Sequence, residues 1–172
     1  MGYQIAVFIH VLAAITWLGG SLFLVMVMVP LTRQAIEGAP PGFSVRLLRE
    51  TAIKFRNVAW ASIVLLVITG LFIATDHFDV SVSDLFDDDS RFISILRTKA
   101  GFVVLIIVLS FLHDFILGPR LTRQIEELDS PANPPDSIRR ARVRLVWIAR
   151  VNLVLLLVVL GLAVTMTRGN PF

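Results

Sequence analysis

The chain has 172 residues, of which 56% are hydrophobic and 17% charged, and its mean hydropathy is +0.79. This length suits one domain, and the composition excludes a disordered chain and an ordinary soluble globule, which could not bury so much apolar surface. Cysteine is absent, so disulfides, thiolate metal sites and cysteine nucleophiles are excluded. A metal or heme would need histidine, methionine, lysine or carboxylate ligands. The isoelectric point near 10.2 indicates membrane topology rather than nucleic-acid binding.

Four apolar stretches are long enough to cross a bilayer, which takes about 20 apolar residues. No charged residue occurs in the first stretch, and neither a preceding basic residue nor a following small-residue cleavage site marks it as a signal peptide. We therefore predict one all-α domain over residues 1–172, an antiparallel four-helix transmembrane bundle. The predicted spans are residues 5–31, 57–75, 98–118 and 147–167.

The distribution of basic residues predicts the orientation of these spans. Of the 16 Lys and Arg residues, 12 lie in the first and third connecting segments, whereas the middle segment carries mainly aspartate. Basic loops stay on the cytoplasmic side, so both termini and the acidic loop are expected outside. The arginine run from Arg139 to Arg144 is expected to meet anionic lipid headgroups of the bilayer. Nucleic acid is not expected as a partner, because membrane topology already requires these charges.

Capping residues predict where three of the helices begin. Ser90 follows the acidic run Asp87–Asp89 and is the expected N-cap of the third helix. Ser44 is the expected cap of the second helix, and Asp136 or Ser137 that of the fourth. These starting points lie ahead of the apolar stretches, so helices two to four are expected to extend beyond the bilayer.

Polar side chains within the spans are the candidate functional residues, because ionisable groups in a bilayer are costly and usually functional. His10 is either a hydrogen-bond partner for a neighbouring helix or a metal or heme ligand. Lys99 either extends to the membrane interface or faces a functional site. His77, beside Asp76 just past the second span, is either solvated or a further member of this outer group. Small residues at Gly19–Ser21 predict a close approach between helices.

A second polar group lies towards the inner ends of the third and fourth spans. His113 is either a separate cofactor-binding residue or part of a structural polar network with Asp114, Arg150 and Asn152, with an Asp114–Arg150 ion pair joining two helices. At 1.5 Å rise per residue, the depths of His10 and His113 differ by roughly 14 Å. Two axial ligands of one heme need similar depth, which disfavours that pair. The third helix also carries a stripe at helical spacing, formed by Lys99, Val103, Ile106, Ser110 and His113.

The usual motifs of soluble enzymes do not occur. The sequence contains no Walker loop, GxGxxG, HExxH or GxSxG motif. The acidic middle loop lacks the alternating ligands and the glycine of an EF-hand. The usual mechanisms of soluble enzymes therefore have no support in this sequence.

The first helix resembles a known membrane family. Residues Phe8–Gly20 read FIHVLAAITWLGG, which is similar to the opening helix of the copper resistance protein D (CopD) family with its HxxA…WxGG pattern. Thr69-Gly70-Leu71 and the lysine within Arg97–Gly101 are similar to further family features. The HemJ-type protoporphyrinogen oxidases share the His, the Trp-x-Gly and the lysine that opens helix three.

The resemblance implies a membrane protein that binds copper or heme b for copper handling or membrane electron transfer. His10 and Lys99 are the positions it carries over. It leaves open a HemJ-like, heme-dependent tetrapyrrole oxidase, and a non-catalytic accessory subunit of a larger membrane complex. A membrane redox partner and an oligomer are both compatible with it. We expect His10 and His77 as metal ligands, Lys99 and His113 as further cofactor-binding residues, and a bacterial inner-membrane location with periplasmic termini.

Overall fold

The computed structural model describes residues 1–31, 43–81, 83–84, 90–126 and 135–167. Every regular element in these ranges is helical, which confirms the all-α prediction. The side chain of Ser44 and the Asp87–Asp89 run lie outside what the structure describes. The contacts divide the chain into two compact units, Met1–Val82 (unit 1) and Ser83–Phe172 (unit 2).

Unit 1 is a pair of long helices, each of which ends in a wider π-helical segment. The first helix, α1, runs over Gly2–Phe23 and continues through Leu24–Met28 to Val29–Leu31. The second, α2, runs over Phe43–Phe72 and continues through Ile73–His77.

The two helices of unit 1 pack antiparallel. Contacts run from the start of α1 against the end of α2 to the end of α1 against the start of α2. This register decides which polar residues of the two helices can meet. In order along α1, the pairs are Tyr3 with His77, His10 with Thr69, and Gly20 with Phe55.

Gly20 of α1 lies directly against the Phe55 ring of α2. A Cβ atom added there would overlap the ring of Phe55, whereas one at Gly19 would meet nothing within 4 Å. The close approach predicted for Gly19–Ser21 therefore occurs at Gly20. The adjacent Ser21 hydroxyl donates within its own helix, to the Trp17 carbonyl at 2.8 Å.

Three helices of unit 2 have their bounds among the described residues. Helix α3 covers Arg91–Phe111 and continues through a π-helical segment at Leu112–Leu117 into α4, Gly118–Glu126, and α5 covers Asp136–Thr167. The predicted cap at Ser90 is confirmed, since its hydroxyl accepts from the Ile93 N–H at 3.3 Å.

The start of α5 differs from the prediction. The helix begins at Asp136 itself, so Pro135 precedes it, and the Pro135 carbonyl accepts from the Ile138 N–H at 3.0 Å. The Asp136 carboxylate pairs with Arg139 at 3.0 Å. An acidic side chain in the first turn still suits the helix dipole, but Asp136 and Ser137 lie within the helix rather than at its cap.

Two of the π-helical segments end two residues before a proline. Leu24–Met28 precedes Pro30, and Leu112–Leu117 precedes Pro119. Proline lacks an N–H, and its ring collides with the carbonyl four residues earlier, so the preceding turn cannot keep regular α geometry. A wider π turn lets each helix continue past its proline.

Four helical segments are long and apolar enough to cross a membrane, as predicted. Many of their large apolar side chains are exposed, including Phe8 at 67% and Val104 at 61%. A helix that is apolar on all sides suits a lipid environment. Three of the segments begin well before the predicted spans. The four are Gly2–Leu31, Arg46–His77, Arg91–Gln124 and Asp136–Thr165.

Candidate functional site

His10 is held against α2 by a threonine hydroxyl. Its Nδ1 atom lies 2.8 Å from Oγ1 of Thr69, and that hydroxyl lies 2.6 Å from the Leu65 carbonyl one turn earlier in α2. A hydroxyl has a single proton, and threonine in an apolar helix commonly donates it to the carbonyl four residues back. This geometry favours Thr69 as the acceptor from His10 and the tautomer of the ring with its proton on Nδ1.

This hydrogen bond fixes the chemical form of the ring. With the proton on Nδ1, the neutral imidazole has its lone pair on Nε2. A histidine that binds a metal shows the same arrangement, because a bond from its second ring nitrogen fixes the tautomer and the orientation of the ring. In this tautomer, Nε2 is the ring nitrogen that could coordinate a metal.

Gly70 supplies the space for the ring. A Cβ atom at this position would lie 3.3 Å from Cε1 of His10 and 3.8 Å from its Nδ1. Thr69 and Gly70 together form the surface of α2 against which the imidazole packs. Sequence reasoning noted both as a family feature but gave them no role. The available signal was a threonine in the middle of an apolar span, since a buried hydroxyl needs a partner.

His77 lies apart from His10. Its exposed ring stacks on Tyr3, with 3.8 Å between centroids and 22° between planes, and meets Phe78 edge-on at 4.9 Å. Tyr3 is seven residues before His10, about 10 Å along the helix axis. Metal–nitrogen bonds are about 2 Å long, so the two histidines do not meet as ligands of one ion in unit 1.

The donors available for a metal are few. Within the described ranges, no group of three or more His, Asp or Glu residues could hold a metal ion. Imidazole is a suitable ligand for copper and for heme iron. The chemistry of His10 therefore fits copper or heme, but no group of three such side chains completes a coordination sphere among the described residues.

The predicted stripe on α3 faces the interior of unit 2. Ile106 is 1% exposed and Ser110 is 8% exposed, while Lys99 is half-buried on the same face. The Ser110 hydroxyl accepts from Nδ2 of Asn152 at 2.9 Å, which joins α3 to α5. The other amide atom of Asn152, Oδ1, is buried and has no hydrogen-bond partner among the described residues.

The other inner polar residues form separate contacts. Nδ1 of His113 lies 2.8 Å from Oδ1 of Asp114, within the π-helical segment of α3. Arg150 is exposed, and its guanidinium lies 5.8 Å from the centroid of the Trp147 ring. Among the described residues, no ion pair joins Asp114 to Arg150. Asp114, Arg150 and Asn152 thus each contact a different residue.

Comparison with known families identifies the chain. A profile described as CopD, Copper resistance protein D, matches residues 49–166, which is more than half of the sequence. The chain belongs to the copper resistance protein D family. The matched region includes Thr69, Gly70 and Lys99, and it begins after the helix that carries His10. No curated protein and no solved structure gives a match. Membership of this membrane family and the four spanning segments together make the chain an integral membrane protein.

Proposed function

We propose that this CopD-family protein handles copper within the membrane, with His10 as a copper ligand through Nε2. The observation that carries the proposal is the His10–Thr69 hydrogen bond, in which the Thr69 proton is directed to the Leu65 carbonyl. The bond orients the ring and places its lone pair on Nε2. Imidazole binds copper in both common oxidation states.

The number of available donors indicates the kind of copper binding. A resident, tightly held ion needs several donors at bond distance, and the described residues provide no group of three His, Asp or Glu. A single preorganised imidazole suits an ion that arrives and leaves, as copper handling requires. Methionine thioethers also bind Cu(I), but Met26 and Met28 follow His10 in α1 by 16 and 18 residues, roughly 25 Å along the axis.

The proposed membrane orientation determines from which side copper reaches this site. With both termini outside, His10 lies in the outer half of its span and receives copper from the periplasmic side. Lys99 lies eight residues after the start of α3, towards the outer end of the predicted third span. We propose that it binds an anionic group there, a role open to a half-buried ammonium group.

Copper binding by the purified full-length protein tests the proposal. Cu(I) affinity is measured by competition with a chromogenic chelator, and metal content and oxidised and reduced absorption spectra are recorded on the same sample. We expect the native protein to bind Cu(I) stoichiometrically. We expect its Cu(I) affinity to fall by more than about 100-fold in His10→Ala, since removal of a ligand costs at least as much affinity as removal of its hydrogen-bond partner. His77→Ala and His113→Ala are the matched controls and are expected to bind copper normally.

Two results would contradict the copper assignment. A Soret band with sharp reduced α and β bands, lost in His10→Ala, would identify a b-type heme protein and favour electron transfer or tetrapyrrole oxidation. A colourless protein that binds no copper would favour the accessory-subunit interpretation. Copper binding that survives His10→Ala would exclude His10 as the copper ligand.

A further inference from the structure

Unit 2 contains an apolar groove between α4 and the first half of α5. Its volume is about 560 Å³, within the range of about 300–1,000 Å³ that is typical of ligand pockets. Leu121 lies within it at 9% exposure, while Trp147 is 58% exposed. The side chains that define it are Leu117, Leu121, Trp147 and Ile148, together with Arg120 and Arg144.

The two arginines make the groove amphipathic. Arg120 and Arg144 come from different helices and are both exposed. Neither forms an ion pair with a carboxylate in the described part of the chain. Guanidinium groups bind phosphate oxygens in bidentate geometry. The groove therefore combines an apolar lining with two cations that form no ion pair with a described residue.

The position of the groove suits a membrane interface. It lies where α4 ends the spanning segment Arg91–Gln124 and where α5 begins its own span. Tryptophan is enriched at this depth, since its ring is apolar and its N–H is polar. Arg123, Arg140 and Arg142 lie nearby in sequence and add positive charge at this end, where anionic lipids are attracted.

We infer that this groove binds one anionic phospholipid, an inference that goes beyond copper handling. The phosphate lies between Arg120 and Arg144, and the upper part of an acyl chain packs on Leu117, Leu121 and Ile148. Charge complementarity supports this occupant. A free phosphate ion would leave the apolar lining unused, and a zwitterionic lipid would bring a second cation close to the arginines.

Quenching of Trp147 fluorescence measures this binding directly. The full-length protein is placed in phosphatidylcholine vesicles that contain an increasing share of phosphatidylglycerol with brominated acyl chains, or of brominated phosphatidylcholine as the comparison lipid. We expect quenching by phosphatidylglycerol at a much lower lipid share. Trp147→Phe, which keeps Trp17 and Trp60, defines the part of the signal that belongs to Trp147.

Two double variants separate a built site from diffuse charge. Each arginine that only adds positive charge near an anionic surface changes affinity by about fivefold. Arg120→Gln with Arg144→Gln also removes the phosphate contacts and is expected to weaken phosphatidylglycerol binding by more than about 25-fold. Arg140→Gln with Arg142→Gln removes the same charge outside the groove and is expected to weaken it by at most about 25-fold. Arg120→Lys with Arg144→Lys keeps both positive charges, and its affinity for phosphatidylglycerol is expected to lie within about fivefold of that of the native protein. This pair replaces the Gln pair if the latter does not fold.

The inference is overturned by any of three results. Equal losses in the two Gln pairs would show attraction by surface charge alone. Equal quenching by the two lipids would exclude a preference for anionic lipid. Displacement of brominated phosphatidylglycerol by millimolar inorganic phosphate would identify a free-anion site, and displacement by an acidic peptide would identify a protein surface.

Discussion

In both units a polar contact joins two apolar helices, but the two contacts differ in the side chains that they orient. In unit 1 the Thr69 hydroxyl lies 2.6 Å from the Leu65 carbonyl, which favours Thr69 as the acceptor from His10. In unit 2 Asn152 donates to Ser110 and leaves its own Oδ1 buried without a partner among the described residues. The first contact orients a titratable ring, whereas the second joins two helices and orients no titratable group.

The largest expected effect concerns the threonine that orients His10. Thr69→Val keeps the side-chain shape but removes the acceptor, so the imidazole loses its fixed tautomer and orientation. We expect Cu(I) affinity to fall by about 10–100-fold, as for other partners of metal-binding histidines. Competition with a chromogenic chelator measures it.

Two further variants sharpen this comparison between the units. Thr69→Ser restores the hydroxyl and is expected to restore affinity. Ser110→Ala removes the corresponding hydroxyl of unit 2 and is expected to leave copper binding unchanged. Equal losses in Thr69→Val and Ser110→Ala would mean that the two contacts do not differ in function.

The next effect concerns helix packing in unit 1. Gly20→Ala forces the Phe55 ring away from α1, and overpacking of this kind costs about 1–3 kcal/mol. Gly19→Ala meets nothing within 4 Å and is expected to be neutral or to stabilise by up to about 1 kcal/mol through helix propensity. The free energy of unfolding in mixed detergent micelles measures both. If the two alanines had the same effect, the register of α1 against α2 would be wrong.

A smaller effect is expected for the polar contact of unit 2. Ser110→Ala leaves the Asn152 amide without its acceptor and should lower the free energy of unfolding by about 0.6–1.7 kcal/mol, as for other hydrogen bonds between membrane helices. Asn152→Leu also removes the unpaired Oδ1 and should be neutral or stabilising. A strong loss of stability in Asn152→Leu would show that the amide has a further role.

The smallest effect lies at a helix end rather than between helices. Ser90→Ala removes the acceptor for the Ile93 N–H and should cost about 0.5–1 kcal/mol of unfolding free energy. Ser94→Ala, one turn later on an exposed face, is the control and should be neutral or slightly stabilising because alanine favours helices. Thermal unfolding of the two variants provides the comparison. Indistinguishable unfolding midpoints would show that the Ser90 cap does not stabilise the helix.

The helices were predictable because their signals are local. Four long apolar stretches require helices in a bilayer, and the Ser90 cap depends on residues three apart. The buried face of α3 followed from helical spacing, with Ile106 and Ser110 at its centre.

The partners across each helix pair were not predictable from the sequence. The contact of His10 with Thr69 depends on the register of α1 against α2, which no local pattern specifies. The same register places His77 on Tyr3 and away from His10. Arg150 was expected to pair with Asp114, but the structure places it beside Trp147, three residues earlier in its own helix. A cation can be stabilised by an aromatic face as well as by a carboxylate.

The tautomer of His10 is the central claim, and nitrogen NMR of protein labelled at its three histidines tests it most directly. We predict that His10, assigned by its loss in His10→Ala, carries its proton on Nδ1 and that Cu(I) shifts its Nε2 resonance while His77 and His113 stay unchanged. A proton on Nε2 of His10 in the copper-free protein, or a copper shift confined to another histidine, would contradict the account.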